Sequence, residues 1–435
     1  MRSVGAAHCV QEAERLRSTL PGAGVSWIEQ GRDAALARFA DAGFPTLRDE
    51  DWKHTNVAPI EASRFAFAPS RASEPGRAQI DALLLPGAHA LVFVDGHLAP
   101  TLSRPGELPA GVALGSVADA LRRDPESVRA LWHDEAGSAF AALNQACAAD
   151  GACVRVSSGI ELDAPIQLLF ITTQAGLATQ CRSLISAEEG ARASIIEQHV
   201  SWADQPSLGN HVTRIDIGPG AEIEHHKLQN ESAAAFHVAT IDARLGERGG
   251  FSSSSFALGA ALSRADIRVA LAAERTSCTL DGLYVADGQR HVDHHTRIDH
   301  LKPRGTSREL YKGVLADSAR AVFNGRLVVH RDAQRSDASQ SNRNLLLSDE
   351  SEVDTQPQLE IYADDVQCGH GATVGQLDAD QIFYLRSRGV SDASARAWLT
   401  YAFAAEMIER VRLAPLRAYL DTLLRARLPA MPEAL

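Results

Sequence analysis

Cysteine is scarce and scattered in this sequence. Six of 435 residues are cysteine, at positions 9, 147, 153, 181, 278 and 368, with no C-x-x-C pair and no two closer than six apart. That spacing excludes a zinc ribbon and a thioredoxin-type dithiol, and it suits a reducing compartment in which most thiols pack as small hydrophobes. Positive charge is also in deficit: 43 Lys and Arg stand against 55 Asp and Glu, a formal net charge of −12. Without a basic run, such a balance repels a nucleic-acid polyanion. Apolar stretches such as Ile166 to Ile171 are too short to span a bilayer, and MRSVGAAHCVQEAERLRS lacks the apolar core of a signal peptide. The expectation is a cytoplasmic chain with neither a nucleic-acid nor a membrane partner.

Enzyme signatures are missing too. G-x-x-x-x-G-K-[ST] is absent, so no ATP site of the Walker-A kind is expected, and G-x-S-x-G, H-E-x-x-H and G-x-G-x-x-G are absent as well. Aromatics are only 6%, and the adjacent pair Asp364–Asp365 points to opposite faces of a strand. Both features count against a secreted carbohydrate-active β-helix enzyme.

What is present falls into three textures. Residues 1–150 read as mostly helical, with helix-forming stretches over Val10 to Leu20, Trp27 to Ala42 and Val117 to Ala149. Ala66 to Ala78 reads as a loop, and Ala90 to Leu98 as a short hairpin or strand. Residues 151–372 alternate like strands, as in Val212-Thr-Arg-Ile-Asp-Ile. Gly190, Gly220 and Gly250 recur every thirty residues here, with Ile185, Ile215 and Leu245 at a matching offset. A fixed period of short strands with few crossover helices predicts the stacked coils of a parallel β-helix. Residues 373–435 return to helix. Asp378 and Ser391 are placed as caps, Pro415 opens the last helix, and Trp398, Leu399, Ala402, Phe403, Met407, Ile408 and Val411 form an apolar stripe. This helical unit is expected to seal the solenoid end with one face and to offer the other to a partner.

Three constellations carry ligand chemistry. HVDHHTRIDH holds His291, Asp293, His294, His295, Asp299 and His300, with His294 and His300 on one strand face and His291, Asp293, His295 and Asp299 on the other. Four histidines on two faces cannot meet one ion, so a hydrogen-bonded solenoid face is the expected role. His225 and His226, being adjacent, also point to opposite faces; Glu222 and Glu224 share a face with His226, and a structural role is expected. The sharpest candidate is QLEIYADDVQCGHGATVGQLD, where Cys368 and His370 point the same way on an extended segment between glycines 369 and 371. A thiol beside an imidazole is a soft two-point ligand for iron, copper or zinc. Two ligands do not close a site, so either the fold or a partner supplies the rest, or the pair is a buried cysteine beside a histidine in a Gly-rich turn.

The string NRNLLLSDESEVDTQPQLEIYADDVQCGHGATVGQLDADQIFYLRSRG, residues 342–389, resembles the C-terminal signature of the SufD branch of the SufB/SufD family. HVDHHTRIDHLKPRGTSRELYKGVL (291–315), FAALNQACAADG (140–151) and GFPTLRDEDWKHTN (43–56) resemble its other marks, so the resemblance runs from about residue 40 to 410. It implies a right-handed parallel β-helix flanked by N-terminal and C-terminal helical regions, and a non-catalytic scaffold role in iron–sulfur cluster assembly and the admission of iron. It implies a heterodimer with a SufB-type paralogue and docking of a SufC-type ATPase on the C-terminal helices, with Tyr384, Leu385, Arg386, Trp398 and Phe403 as docking candidates. It also implies a transient cluster shared at the seam, with His370 as this chain's ligand and Cys368 beside it; Gly369 stands where the family often has Ser. Whether the isolated chain pairs with itself as a homodimer is left open by the sequence, a SufB-like homodimeric scaffold is the alternative, and no mark assigns a flavin.

Overall fold

The computed structural model of the chain describes residues 3–68, 75–132 and 137–428. Its centre is a parallel β-solenoid of about eight coils, in which each coil lays one strand on each of two ten-stranded sheets. The strand-like alternation predicts this, because every second residue points inward and must be covered by the coil above and below. Val154, Ile185, Ile215, Ala243, Val269, Ile298, Leu327 and Leu359 are successive register partners and form one apolar column. Burying each branched aliphatic contributes about 1.5–3 kcal/mol, so a column of this kind is a main source of the core's stability.

The thirty-residue period holds for two coils and then slips. Gly190 and Gly220 occupy equivalent turns at φ +69° and +65°, and their amides donate to Pro219 O (2.9 Å) and Glu247 O (2.8 Å) of the following coil. The third member of this ladder is Arg248, not Gly250, followed by Arg275, Arg304 and Arg335, all at positive φ. Gly250 opens the next strand opposite Glu222, and Leu245 pairs with Ile217 while Ala243 is the partner of Ile215. The third coil is two residues shorter, and arginine holds the left-handed turn there at a cost of about 1–2 kcal/mol. Glycine alone therefore does not mark the repeat.

The N-terminal helices lie along the outer face of the first sheet, on Ala178, Leu208, Phe236 and Leu262. Val4–Leu16, Ser26–Ala42 and Ala139–Cys147 pack Phe39, Phe44, Trp52 and Phe140 against the first coils. Buried Arg32 donates to Ala146 O (3.1 Å) and Ala148 O (3.0 Å) at the end of the third helix, where carbonyls lack helical partners. Asn144 ties that helix to the solenoid by donating to Cys181 O and Asn210 O. The helical pattern over 117–149 is broken into Val117–Arg123, Arg129–Trp132 and Ala139–Cys147, with Pro125 opening a 3-10 turn between the first two. Residues 133–136 lie outside the described residues. In the expected loop 66–78, Ala66–Phe67 is a short strand beside Leu177 and Ala178, residues 69–74 are outside the described residues, and Arg77–Asp81 is helical. His89–Val94 and His97–Leu98 form the expected hairpin.

At the other end Asp378 and Ser391 cap the helices Ala379–Ser387 and Asp392–Glu409, and Ala414–Arg427 follows with Pro415 in its first turn. These helices do not seal the solenoid end. They lie along the outer face of the second sheet, where Ile196, Leu228, Phe256, Leu283 and Val314 make an apolar stripe that Ala404, Met407, Ile408, Val411, Leu416 and Leu420 cover. An outward-facing stripe of this size must be buried, and it draws the helices sideways. Within the stripe expected on Asp392–Glu409, Met407 and Ile408 are buried, Trp398 and Phe403 are half-buried, and Ala402 is exposed.

Candidate functional site at the open coil

Because the helices lie alongside, the last coil is left uncovered. Its two strands, Glu352–Ile361 and Gln367–Gly375, are ten and nine residues long and, among the described residues, have no neighbour on one edge. Ile361, Tyr362 and Val374 are 42%, 57% and 49% exposed there. A long, partly apolar edge with unpaired backbone groups is a template for another strand.

Cys368 and His370 sit on the inward-pointing face of this coil, in register with Ala338 and Gln340. Cys368 is half-buried against Leu327, Val329, Ala338 and Ala363, and burial, helped by Asp337, pushes its thiol above the ordinary value. His370 is exposed. Behind it the file continues into the solenoid: Gln340 donates to Glu309 Oε2 at 2.7 Å, and burial pushes Glu309 up to about 7. Among the described residues Gly369, Gly371 and Gly375 have nothing within 4 Å of where a Cβ would stand, and none has a positive φ. Neither this chain's packing nor its backbone requires glycine at these positions.

The strand His291–His300 is divided by parity as its sequence predicts. His294 and His300 point inward; His300 lies 3.2 Å from Ser336 Oγ and 2.9 Å from Ser307 Oγ, and His294 lies between the rings of Tyr284 and Tyr311. Burial lowers His294 to about 3 and His300 to about 4, so both are neutral imidazoles near pH 7. On the outer face His291 meets Thr55 Oγ1 at 2.9 Å and His295 meets Asp293 at 3.1 Å. Burial alone would raise Asp293, but Arg264 at 2.6 Å and His295 reverse this and hold it far below the usual carboxylate range. His225 and His226 face opposite ways, with His226 3.3 Å from Glu224. The large groove on the first sheet's outer face, about 1070 Å³, is lined among the described residues by no Phe, Tyr or Trp, and its Asp242 and Asp299 are paired with Arg214 and Arg297. It is not a sugar-stacking cleft.

A family model described as the SufBD core domain of SUF-system Fe–S cluster assembly matches residues 170–403, and one for the SufBD N-terminal region matches 14–168. The chain belongs to the SufBD family. It is 35% identical to the iron–sulfur cluster assembly protein SufD of Escherichia coli, over 91% of this chain and 92% of that one. Identity is 32% to an iron–sulfur cluster assembly SufBD family protein of Synechocystis, over 94% and 93%. To SufD of Bacillus subtilis it is 25%, over 89% and 90%.

The residues expected at a docking surface are divided in this SufBD-family chain. Tyr384 is 58% exposed and its neighbour Phe383, not singled out from the sequence, is 74% exposed. Arg386 is exposed beside Asp392, and Leu385 and Trp398 are half-buried. Phe403 faces the solenoid instead, with Lys312 Nζ 4.4 Å above its ring and donating to its carbonyl.

Sequence reasoning missed the densest buried polar group of the SufBD core. Glu197, His199, His211, His225, Lys227, Glu231 and His237 all lie inside the first full coils. The signal was parity: in the strands Arg192–Ser201, Leu208–Ile217, Glu222–Gln229 and Phe236–Leu245 all but Glu231 continue the inward positions that carry Ile195, Ile215, Ile223 and Ile241, and Glu231 lies in the turn after the third. Burial, followed by neighbouring imidazoles, lowers His199 well below its ordinary value and His211 to about 3. Burial lowers Lys227 to about 8. Burial opposes charge on Glu197 and Glu231, yet His225 and Thr213 for the first, and His237 and Gln229 for the second, hold both below the ordinary value.

Proposed function

We propose that this chain is a SufD-type, non-catalytic scaffold subunit of cytoplasmic iron–sulfur cluster assembly. Its open coil pairs with a SufB-type paralogue, and its C-terminal helices, through Tyr384, Leu385, Arg386 and Trp398, dock a SufC-type ATPase that supplies the nucleotide hydrolysis; Phe403, turned to the solenoid, only supports that surface. A nascent cluster, as cargo, is held at the seam by His370 and, beside it, Cys368. The observation that carries this reading is the coil itself: a soft ligand pair at an unpaired edge, with open space over three glycines. Two ligands are too few to retain a cluster and enough to share one, which suits a scaffold that hands its product on.

The test is co-expression with SufB-type and SufC-type partners, with His370 intact or as His370→Ala, followed by anaerobic purification, absorbance and iron analysis. A complex that assembles but loses most of its cluster supports the reading. Unchanged assembly and cluster content refute the site. A chain that purifies alone as a cluster-bearing homodimer supports the SufB-like alternative.

A further inference from the structure

Three imidazoles inside the N-proximal coils lack the partners that buried polar groups require. His199 and His211 come from strands on opposite sheets and His237 from the strand next to His211. Their ring centroids are 4.4, 4.8 and 5.5 Å apart, and one nitrogen from each lies within 4.8 Å of the other two. They are 1%, 6% and 0% exposed. Both nitrogens of His199, Nδ1 of His211 and Nε2 of His237 have no hydrogen-bond partner among the described residues. His300 shows what satisfaction looks like in the same interior, with a serine hydroxyl at each nitrogen. Buried polar atoms are nearly always paired, so several orphans in one cluster call for a missing partner.

Charge and space say what that partner is. Glu197 and Glu231 are buried in this region with a single buried ammonium, Lys227, which leaves room for positive charge. Glu231 Oε2 lies 2.8 Å from His237 Nδ1. A small cavity of about 10 Å³ touches His199, His211 and Glu231, with Cys181 and Phe170 also in its lining and His237 beyond it. Gly209 keeps the space open, since a Cβ there would stand 2.9 Å from His211 Nε2 and 3.2 Å from Glu231 Oε1, although its φ does not require glycine.

We propose that His199, His211 and His237, with Glu231, bind one borderline divalent transition-metal ion, of the class of ferrous iron or zinc, inside the solenoid. Imidazole nitrogen with one carboxylate suits such ions, whereas calcium and magnesium want oxygen and cuprous ion wants sulfur. Metal–nitrogen bonds of about 2.0–2.1 Å require each ring to move inward by roughly 1 Å, within reach of side-chain rotation. The site lies six strand spacings from His370, roughly 30 Å along the solenoid, and it does not depend on the scaffold reading.

The experiment is titration of the metal-stripped full chain with cobalt(II), read by visible absorption and by metal per chain. One equivalent is expected, with nitrogen–oxygen ligand-field bands and no thiolate charge-transfer band. It should persist in His370→Ala and weaken at least about tenfold in His237→Gln and in Gly209→Ala, with circular dichroism showing that each variant is folded. Failure of the wild-type chain to take up an equivalent overturns the proposal without recourse to any variant. So do a thiolate band, loss of binding in His370→Ala, or unchanged binding in the folded interior variants.

Discussion

The enclosed coils and the terminal coil are built from the same kind of strand, and their glycines show how differently they are used. In the enclosed coils Gly282 and Gly313 lie under the rings of Tyr311 and Tyr284, and Gly325 lies under Gln340; a Cβ at any of the three would overlap its neighbour. In the last strand Gly369, Gly371 and Gly375 face nothing within 4 Å. The contrast extends to charge. Arg264 is buried between Asp266 at 2.8 Å and Asp293 at 2.6 Å and stacks on Trp52 at 3.7 Å, whereas His370 stands in the open. Residues of one type are fixed by this chain's own packing in the first region and left free for other contacts in the second. Stability and assembly are therefore separable by position.

The largest expected effect breaks the enclosed side. Arg264→Leu strands Asp293 without its cation and should lower stability by about 3–5 kcal/mol, measured by urea unfolding. The next sharpens the comparison through pH. Glu309 titrates at about 7 when folded against an ordinary 4.5, so between those values the native state keeps a proton that the unfolded chain has lost. Stability should then fall as pH rises through this window, by up to roughly 3 kcal/mol. Glu309→Gln should flatten that slope when unfolding midpoints are compared at about pH 5 and about pH 7.5. The smallest effect on folding is expected at the terminal coil. Val374→Lys should change stability by no more than about 0.5 kcal/mol, while abolishing co-purification with a SufB-type partner.

The parallel β-helix was legible because inward parity persists over many strands, and the caps at Asp378 and Ser391 because side-chain oxygen meets free helix amides. The period was only partly legible, since arginine takes over the left-handed turn at 248, 275, 304 and 335. The C-terminal helices were assigned to the wrong surface because a periodic stripe reports that a face is buried, not against what. Cys368 and His370 announced themselves by adjacency in sequence. His199, His211 and His237 did not, for their proximity is created by coiling, and each alone reads as an ordinary core histidine.

The two ends of the solenoid set a limit on how far such subunits can accumulate. At the N-terminal end the sheets finish in strands of two and five residues that pair antiparallel and so end the parallel ladder. At the C-terminal end two long edges stand free. If the free edges pair as proposed, a body with one adhesive end and one blunt end stops at two solenoids, because joining end to end consumes both reactive surfaces. On that pairing the asymmetry is a chain terminator, turning a repeat architecture prone to fibres into one that counts.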